Sequence, residues 1–166
     1  MEFKTGDDVV HPNHGVGNIV RLEERALAAS GMCWYYVLAI GTTRVWMPVQ
    51  ANGATTLRAV TRKQDLEQYR TVLSSQPTLL NRDFKKRHLD LIERLTHSSF
   101  QVMCEIVRDL SALGWNRPMG ETDSTLLKKI QGNLRREWAA ATGQSPQEAI
   151  QEVEALLQAG RVAYQT

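Results

Sequence analysis

At 166 residues, 42% of them hydrophobic and 23% charged, the chain has the make-up of a globular protein with one compact domain or two small ones. A formal charge of +2 and a pI near 8.6 are too mild to mark a nucleic-acid binder, so local clustering must decide. No apolar run approaches the roughly 18 residues that cross a bilayer, and MEFKTGDD lacks the basic-then-apolar order of a secretory signal, so a cytoplasmic protein without membrane contact is expected.

Lys4 to Val20, KTGDDVVHPNHGVGNIV, reads as the first hairpin of a small β-barrel. Gly6-Asp7 opens a turn, Val9 and Val10 supply β-branched strand residues, Pro12 to Gly15 reverses the chain, and Val16 to Val20 returns it. Two glycines flank Val16, and glycine within a strand marks a bulge or a close backbone approach. Ala26 to Gly31 reads as a loop, Trp34 to Ile40 as a strong strand, Gly41 to Thr43 as a turn, Arg44 to Met47 as a returning strand stopped by Pro48, and Leu57 to Val60 as a closing strand. Short strands joined by tight turns favour an SH3-like or Tudor-like barrel over residues 1–60.

From Thr61 the period changes from two to about 3.6, so residues 61–166 read as a compact all-α bundle and the fold class as α+β. Thr61 and Gln64 form a capping-box pattern ahead of Leu66, Tyr69, Val72 and Leu73. A second helix is expected from about Arg82 to Leu95, with Phe84, His88, Leu91, Ile92 and Leu95 in one stripe. A third runs from about Ser99 to Leu113. Asp123 or Ser124 is expected to cap a fourth, ending near Ala141 before Gly143. Ser145-Pro146-Gln147-Glu148 combines an N-cap, a first-turn proline and a capping-box glutamate, opening a fifth helix to about Ala159.

No catalytic constellation emerges. His11 and His14 straddle a proline turn and lack the one-face presentation of a helical ligand pair, and His88 and His97 have no partners at ligand spacing. Cys33 and Cys104, the two cysteines, show no CxxC spacing and read as reduced, packed thiols. The pairs Glu23-Glu24 and Asp7-Asp8 read as solvated surface. Gly15-Val16-Gly17 leads into no helix, as a phosphate loop must. The expectation is a non-enzyme with no metal or cofactor.

Two basic clusters carry more information. In RDFKKRH, residues 82–88, Lys85, Lys86 and Arg87 follow an aromatic at the start of a helix. They could clamp a nucleic-acid backbone while Phe84 meets a base. Alternatively, Phe84 is the first core residue of its helix, in phase with Leu91, and the cations are an ordinary solvated face. Lys128-Lys129 and Arg135-Arg136 lie one to two turns apart on the fourth helix, where a single charged stripe could follow a phosphate strand. In the β half, Trp34, Tyr35, Tyr36 and Trp46 crowd two adjacent strands, and alternation turns some of them outward. The segment Arg44, Val45, Trp46, Met47, Pro48 is a candidate open edge for pairing with a strand of another protein.

These pieces assemble into a resemblance. FKTGDDVVHPNHGVGNI, YYVLAI followed by a short turn and VWMPV, and the helix pair ending CEIVRDL together resemble the bacterial CarD/CdnL transcription-regulator family, whose N-terminal module is shared with transcription-repair coupling factors. The resemblance implies a Tudor-like domain that docks on the RNA polymerase β subunit through an edge strand. It also implies a helical domain that contacts promoter DNA, weakly and with little sequence specificity, at the upstream edge of the melted bubble. A polymerase-contacting arginine of the family matches Arg25, and a second falls at Trp46, which alters that contact. The family's DNA-wedging tryptophan falls at Phe84, which keeps a stacking face but loses the indole N–H. The basic pair after it falls at Lys86 and Arg87. Lys128, Lys129, Arg135 and Arg136 are candidate DNA contacts by chemistry alone. The expected state is a monomer on the nucleoid, and a protein adaptor without DNA contact is the alternative.

Overall fold

The structure, a computed structural model, describes residues 2–27, 31–96 and 99–166. Most of the expected loop before Gly31, and His97, lie outside the described residues. The chain divides into two compact units, Met1–Val60 and Thr61–Thr166.

The first unit is one antiparallel sheet of β1 (Asp8–His11), β2 (Gly15–Leu27), β3 (Gly31–Ile40), β4 (Thr43–Pro48) and β5 (Arg58–Ala59), in the order β4-β3-β2-β1-β5. Val9, Ile19, Tyr36, Leu38 and Leu57 form its core, joined by Phe3, Leu22, Val45 and Met47. The Thr56 hydroxyl lies 3.8 Å from the Met47 sulfur, so the sheet curls until the β4 side meets the chain entering β5. Gly17 permits a close approach: a Cβ there would stand 2.6 Å from Ile40 Cγ1 and 3.0 Å from the Ala39 carbonyl oxygen.

β2 is far longer than the expected strand ending at Val20, and it carries a bulge between Ile19 and Arg21. Because side chains alternate with a period of two, one extra residue reverses which face everything beyond it meets. Ile19 points into the core, Val20 absorbs the irregularity, and Leu22 again points inward. Arg21, Glu23 and Arg25 are therefore delivered together to the outward face. His11 serves its own turn, its Nδ1 accepting the backbone N–H groups of Asn13 and His14 at 3.0 and 3.2 Å.

The second unit comprises a 3-10 turn (Lys63–Asp65) and helices α1 (Leu66–Ser74), α2 (Phe84–Thr96), α3 (Phe100–Leu113), α4 (Glu121–Thr142) and α5 (Pro146–Tyr164). Its core gathers Leu66, Leu73, Leu91, Phe100, Ile106, Leu110, Leu134, Trp138 and Val153 among others. Thr61 forms no capping box: its backbone N–H and hydroxyl both donate to Glu137 of α4, at 3.0 and 2.8 Å, so the first helix starts later, after the 3-10 turn. Ser145 and Glu148 do form theirs, at 3.2 and 2.8 Å. α5 runs through Gly160 rather than stopping before it. A Cβ at that position would lie 3.2 Å from the Ser74 carbonyl oxygen, so this glycine is where α5 presses against the end of α1.

Candidate functional site

Among the described residues, β4 pairs only with β3 and is an edge of the sheet. Alternation sends Val45 and Met47 into the core cluster and leaves Arg44, Trp46 and Pro48 exposed. Of the five candidate edge residues, two therefore build the sheet and three face outward. Register lines up Arg21, Val37 and Trp46 across three strands, and Glu23, Tyr35 and Pro48 beside them. Val37 is only 1% exposed although its neighbour Tyr36 fills the core, which means the outward side of this row is covered too.

Glu23 is the centre of that face. Arg21 donates to its Oε2 from Nε at 3.1 Å and Nη2 at 2.9 Å, Arg25 Nε donates to Oε1 at 2.6 Å, and the Trp46 indole N–H donates to Oε2 at 3.3 Å. The Arg25 guanidinium stands 4.7 Å from the centroid of the Trp46 ring, a cation–π separation. Hydrogen bonds from Arg25 and Arg21 hold the Glu23 carboxyl down to about 2. Reading Glu23 as an ordinary solvated acid missed this role. The signal was available in the i, i+2, i+4 spacing of Arg21, Glu23 and Arg25, had the strand been extended past Val20.

In the helical unit, Asp83 opens α2, its Oδ1 accepting the backbone N–H groups of Lys85 and Lys86 at 2.9 and 3.1 Å. Phe84 is 56% exposed and is not the first core residue of its helix. Lys85 and Lys86 are exposed beside it, with the Lys85 ammonium 6.0 Å from the Phe84 ring centroid. The inward stripe of α2 is instead built on Arg87 and Leu91, while Ile92 is 44% exposed.

Arg87 corrects the sequence expectation. Its side chain is buried, donates to both carboxylate oxygens of Asp123, and donates from Nη1 to the carbonyl of Asn81 at 2.6 Å. A guanidinium so engaged is a structural clamp, and it has no face for phosphate. Asp123 in turn points inward rather than capping, and α4 begins at Glu121 with Gly120 at its N-cap. Phe84, Leu113, Arg117, Pro118 and Met119 line a groove of about 330 Å³ floored by Arg87 and Asp123.

The four cations of α4 form two rows rather than one stripe, since Lys128 and Lys129 are adjacent and diverge by about 100°. Lys128 and Lys129 are exposed. Arg135 is drawn to Glu154 of α5 at 3.1 Å, and Arg136 bonds to the Gly132 carbonyl and Asn133 on its own helix. Among the described residues, no group of three or more His, Cys, Asp or Glu side chains is placed to hold a metal ion, and no helix is long and apolar enough to cross a membrane.

Two comparisons bear on these surfaces. A curated protein of Bacillus subtilis (strain 168), named "Putative transcription factor YdeB", is 22% identical over 126 residues, covering 75% of this chain and 82% of its own. Residues 3–61 match the family described as the CarD-like/TRCF RID domain. The resemblance read from the hairpin, the YYVLAI strand and the VWMPV edge is borne out by that match, which gives residues 3–61 the CarD-like/TRCF RID domain.

Proposed function

We propose that this chain is a non-enzymatic transcription regulator that holds the RNA polymerase β subunit through the β4 edge and its outward face, and touches promoter DNA with its helical unit. Arg25, Arg44, Trp46 and Pro48 make the polymerase contact, with Val45 and Met47 anchoring the strand from behind. Phe84, with Lys85 and Lys86 directly after it, meets DNA at the upstream edge of the bubble, so that open complexes persist. Lys128 and Lys129 are secondary phosphate contacts, and Arg135 and Arg136 are held mainly by their neighbours. The protein works in the cytoplasm, at the nucleoid.

The observation that carries this reading is the family match over residues 3–61 on a sheet whose β4 edge has no strand partner but β3 among the described residues. The exposed Phe84 followed by two exposed lysines supports the second half. Bivalency accounts for the mild overall charge. A unit that grips polymerase raises the local concentration of a weak DNA contact, so no large positive field is required. Stacking of one base on an aromatic side chain contributes about 1–3 kcal/mol.

The test is open-complex lifetime and polymerase binding measured on the same variants of the full chain. Phe84→Ala should shorten the lifetime by roughly 5- to 150-fold, the kinetic equivalent of that stacking energy, and leave polymerase binding intact. Phe84→Trp should lengthen it, and Arg25→Glu should abolish polymerase binding. A protein that binds polymerase but gains no DNA affinity in the ternary complex is an adaptor, and the DNA half of the proposal then fails.

A further inference from the structure

We propose that Glu23 is a positioning residue for polymerase docking: it seats the Arg25 guanidinium on the Trp46 ring and leaves that guanidinium's outer edge for a partner carboxylate. The inference rests on the polymerase-binding reading above and adds to it a residue of the opposite charge from the one expected to make the contact.

A carboxylate has about four acceptor positions, and Glu23 receives four N–H donors, from Arg21 twice, Arg25 and Trp46. Three of these donors converge on Oε2 and one on Oε1, so most of the accepting capacity of Glu23 is spent within the surface. Arg25 is in the opposite condition. Its Nε is spent on Glu23, its guanidinium carbon stands over the indole, 4.7 Å from the ring centroid, and among the described residues its two terminal nitrogens have no partner. A guanidinium restrained at Nε and held over an aromatic ring is pre-organised for recognition of a carboxylate by its terminal nitrogens. Trp46, where the family resemblance leads one to expect a second arginine, becomes the platform beneath the first. It is 38% exposed and adds an apolar patch beside the charge. The surface therefore fits a partner segment that presents one acidic side chain to Arg25 and an apolar one to Trp46. Arg21 and Arg44, both exposed on the same face, set the surrounding potential positive.

The sign of one substitution separates this role from simple electrostatics. Charge alone says that removing the single carboxylate from a surface that meets an acidic partner tightens binding. Positioning says that it loosens, because Arg25 loses its tether. Affinity of the full-length protein for RNA polymerase is measured for wild type, Glu23→Gln, Arg25→Ala and the double variant, with thermal midpoints recorded for each. The expected result is about tenfold weaker binding for Glu23→Gln, no further loss when Glu23→Gln is added to Arg25→Ala, and midpoints within a few degrees of wild type. Unchanged or tighter binding by Glu23→Gln overturns the assignment while leaving the polymerase reading intact. So does a full additional loss on the Arg25→Ala background. Wild-type protein that fails to bind polymerase overturns the docking reading itself, and this role with it.

Discussion

Arg87 and Asp123 face each other as a two-point ion pair, Nη2 to Oδ2 at 2.6 Å and Nε to Oδ1 at 3.2 Å, with side chains 6% and 5% exposed. Arg87 also donates to the carbonyls of Asn81 and Arg82, so one guanidinium ties the entry of α2 to the start of α4, directly beneath Phe84. Removing one member strands a buried charge, which typically costs about 3–5 kcal/mol. Arg87→Ala should therefore lower stability by that amount in urea unfolding. Replacing the pair together, Arg87→Met with Asp123→Leu, should cost much less, because no charge is left uncompensated. DNA affinity of Arg87→Ala should fall only in proportion to the unfolded fraction.

How far the sequence spoke depended on whether the deciding interaction was local. The hairpin around Pro12, the β3 strand, and the Ser145 cap are settled within a few residues, and they were legible. The bulge at Val20 was not, because it is defined by register against β3 rather than by anything in β2 itself. Thr61 matched a capping box yet gives its donors to Glu137, 76 residues away. Arg87 shows the same limit at the candidate site: KKR reads as three equal cations, and only the carboxylate of Asp123, brought close by the bundle, singles one out for burial. Phe84 was ambiguous for the converse reason, since its phase with Leu91 fits a core stripe while its place in the first turn leaves it beyond the packed neighbours.

Cys104 is fully buried in α3, and burial, aided by the nearby Glu137 and Glu105 carboxylates, pushes its thiol well above the usual cysteine range. The thiolate is the reactive species, so Cys104 is protected twice, by access and by protonation. Cys33, on β3, is partly exposed. Titration of the native protein with an aromatic disulfide reagent should modify one thiol promptly, and Cys33→Ser should abolish that phase. The second should react only in denaturant, at a rate that follows unfolding of the helical unit. Prompt modification of both would contradict the packing described for α3.

Gly17 tests the tightness of the sheet. An added methyl would meet Ile40 Cγ1 at 2.6 Å and the Ala39 carbonyl oxygen at 3.0 Å. The first obstacle is a side chain that can shift, but the second is backbone in the paired strand region and cannot move without distorting the ladder. Overpacking of this kind costs about 1–3 kcal/mol, and Gly17→Ala should lower the thermal midpoint accordingly. Adding Ile40→Ala, which removes the Cγ1, should make the two losses less than additive. Gly6, where an added Cβ meets nothing within 4 Å, has no such steric term.

The carboxylate of Glu23 gives the outward face a defined pH response. Hydrogen bonds from Arg25 first, then Arg21, lower it from an ordinary value of 4.5 to about 2 in the folded protein. A folded-state value below the unfolded one means that ionised Glu23 favours the folded arrangement. That contribution is complete above about 4.5, shrinks as pH falls toward 2, and is absent below it. Through the neutral and mildly acid range the Arg25–Glu23–Trp46 arrangement should therefore stay intact. Trp46 donates its indole N–H to the same carboxylate, so its Nε1–H resonance should follow this single titration, moving with a midpoint near 2 and holding steady above about 4. In Glu23→Gln the movement should vanish, because the group that titrates is gone. A Trp46 resonance that instead shifts near 4.5 would mean that the carboxyl is not engaged by the arginines in solution.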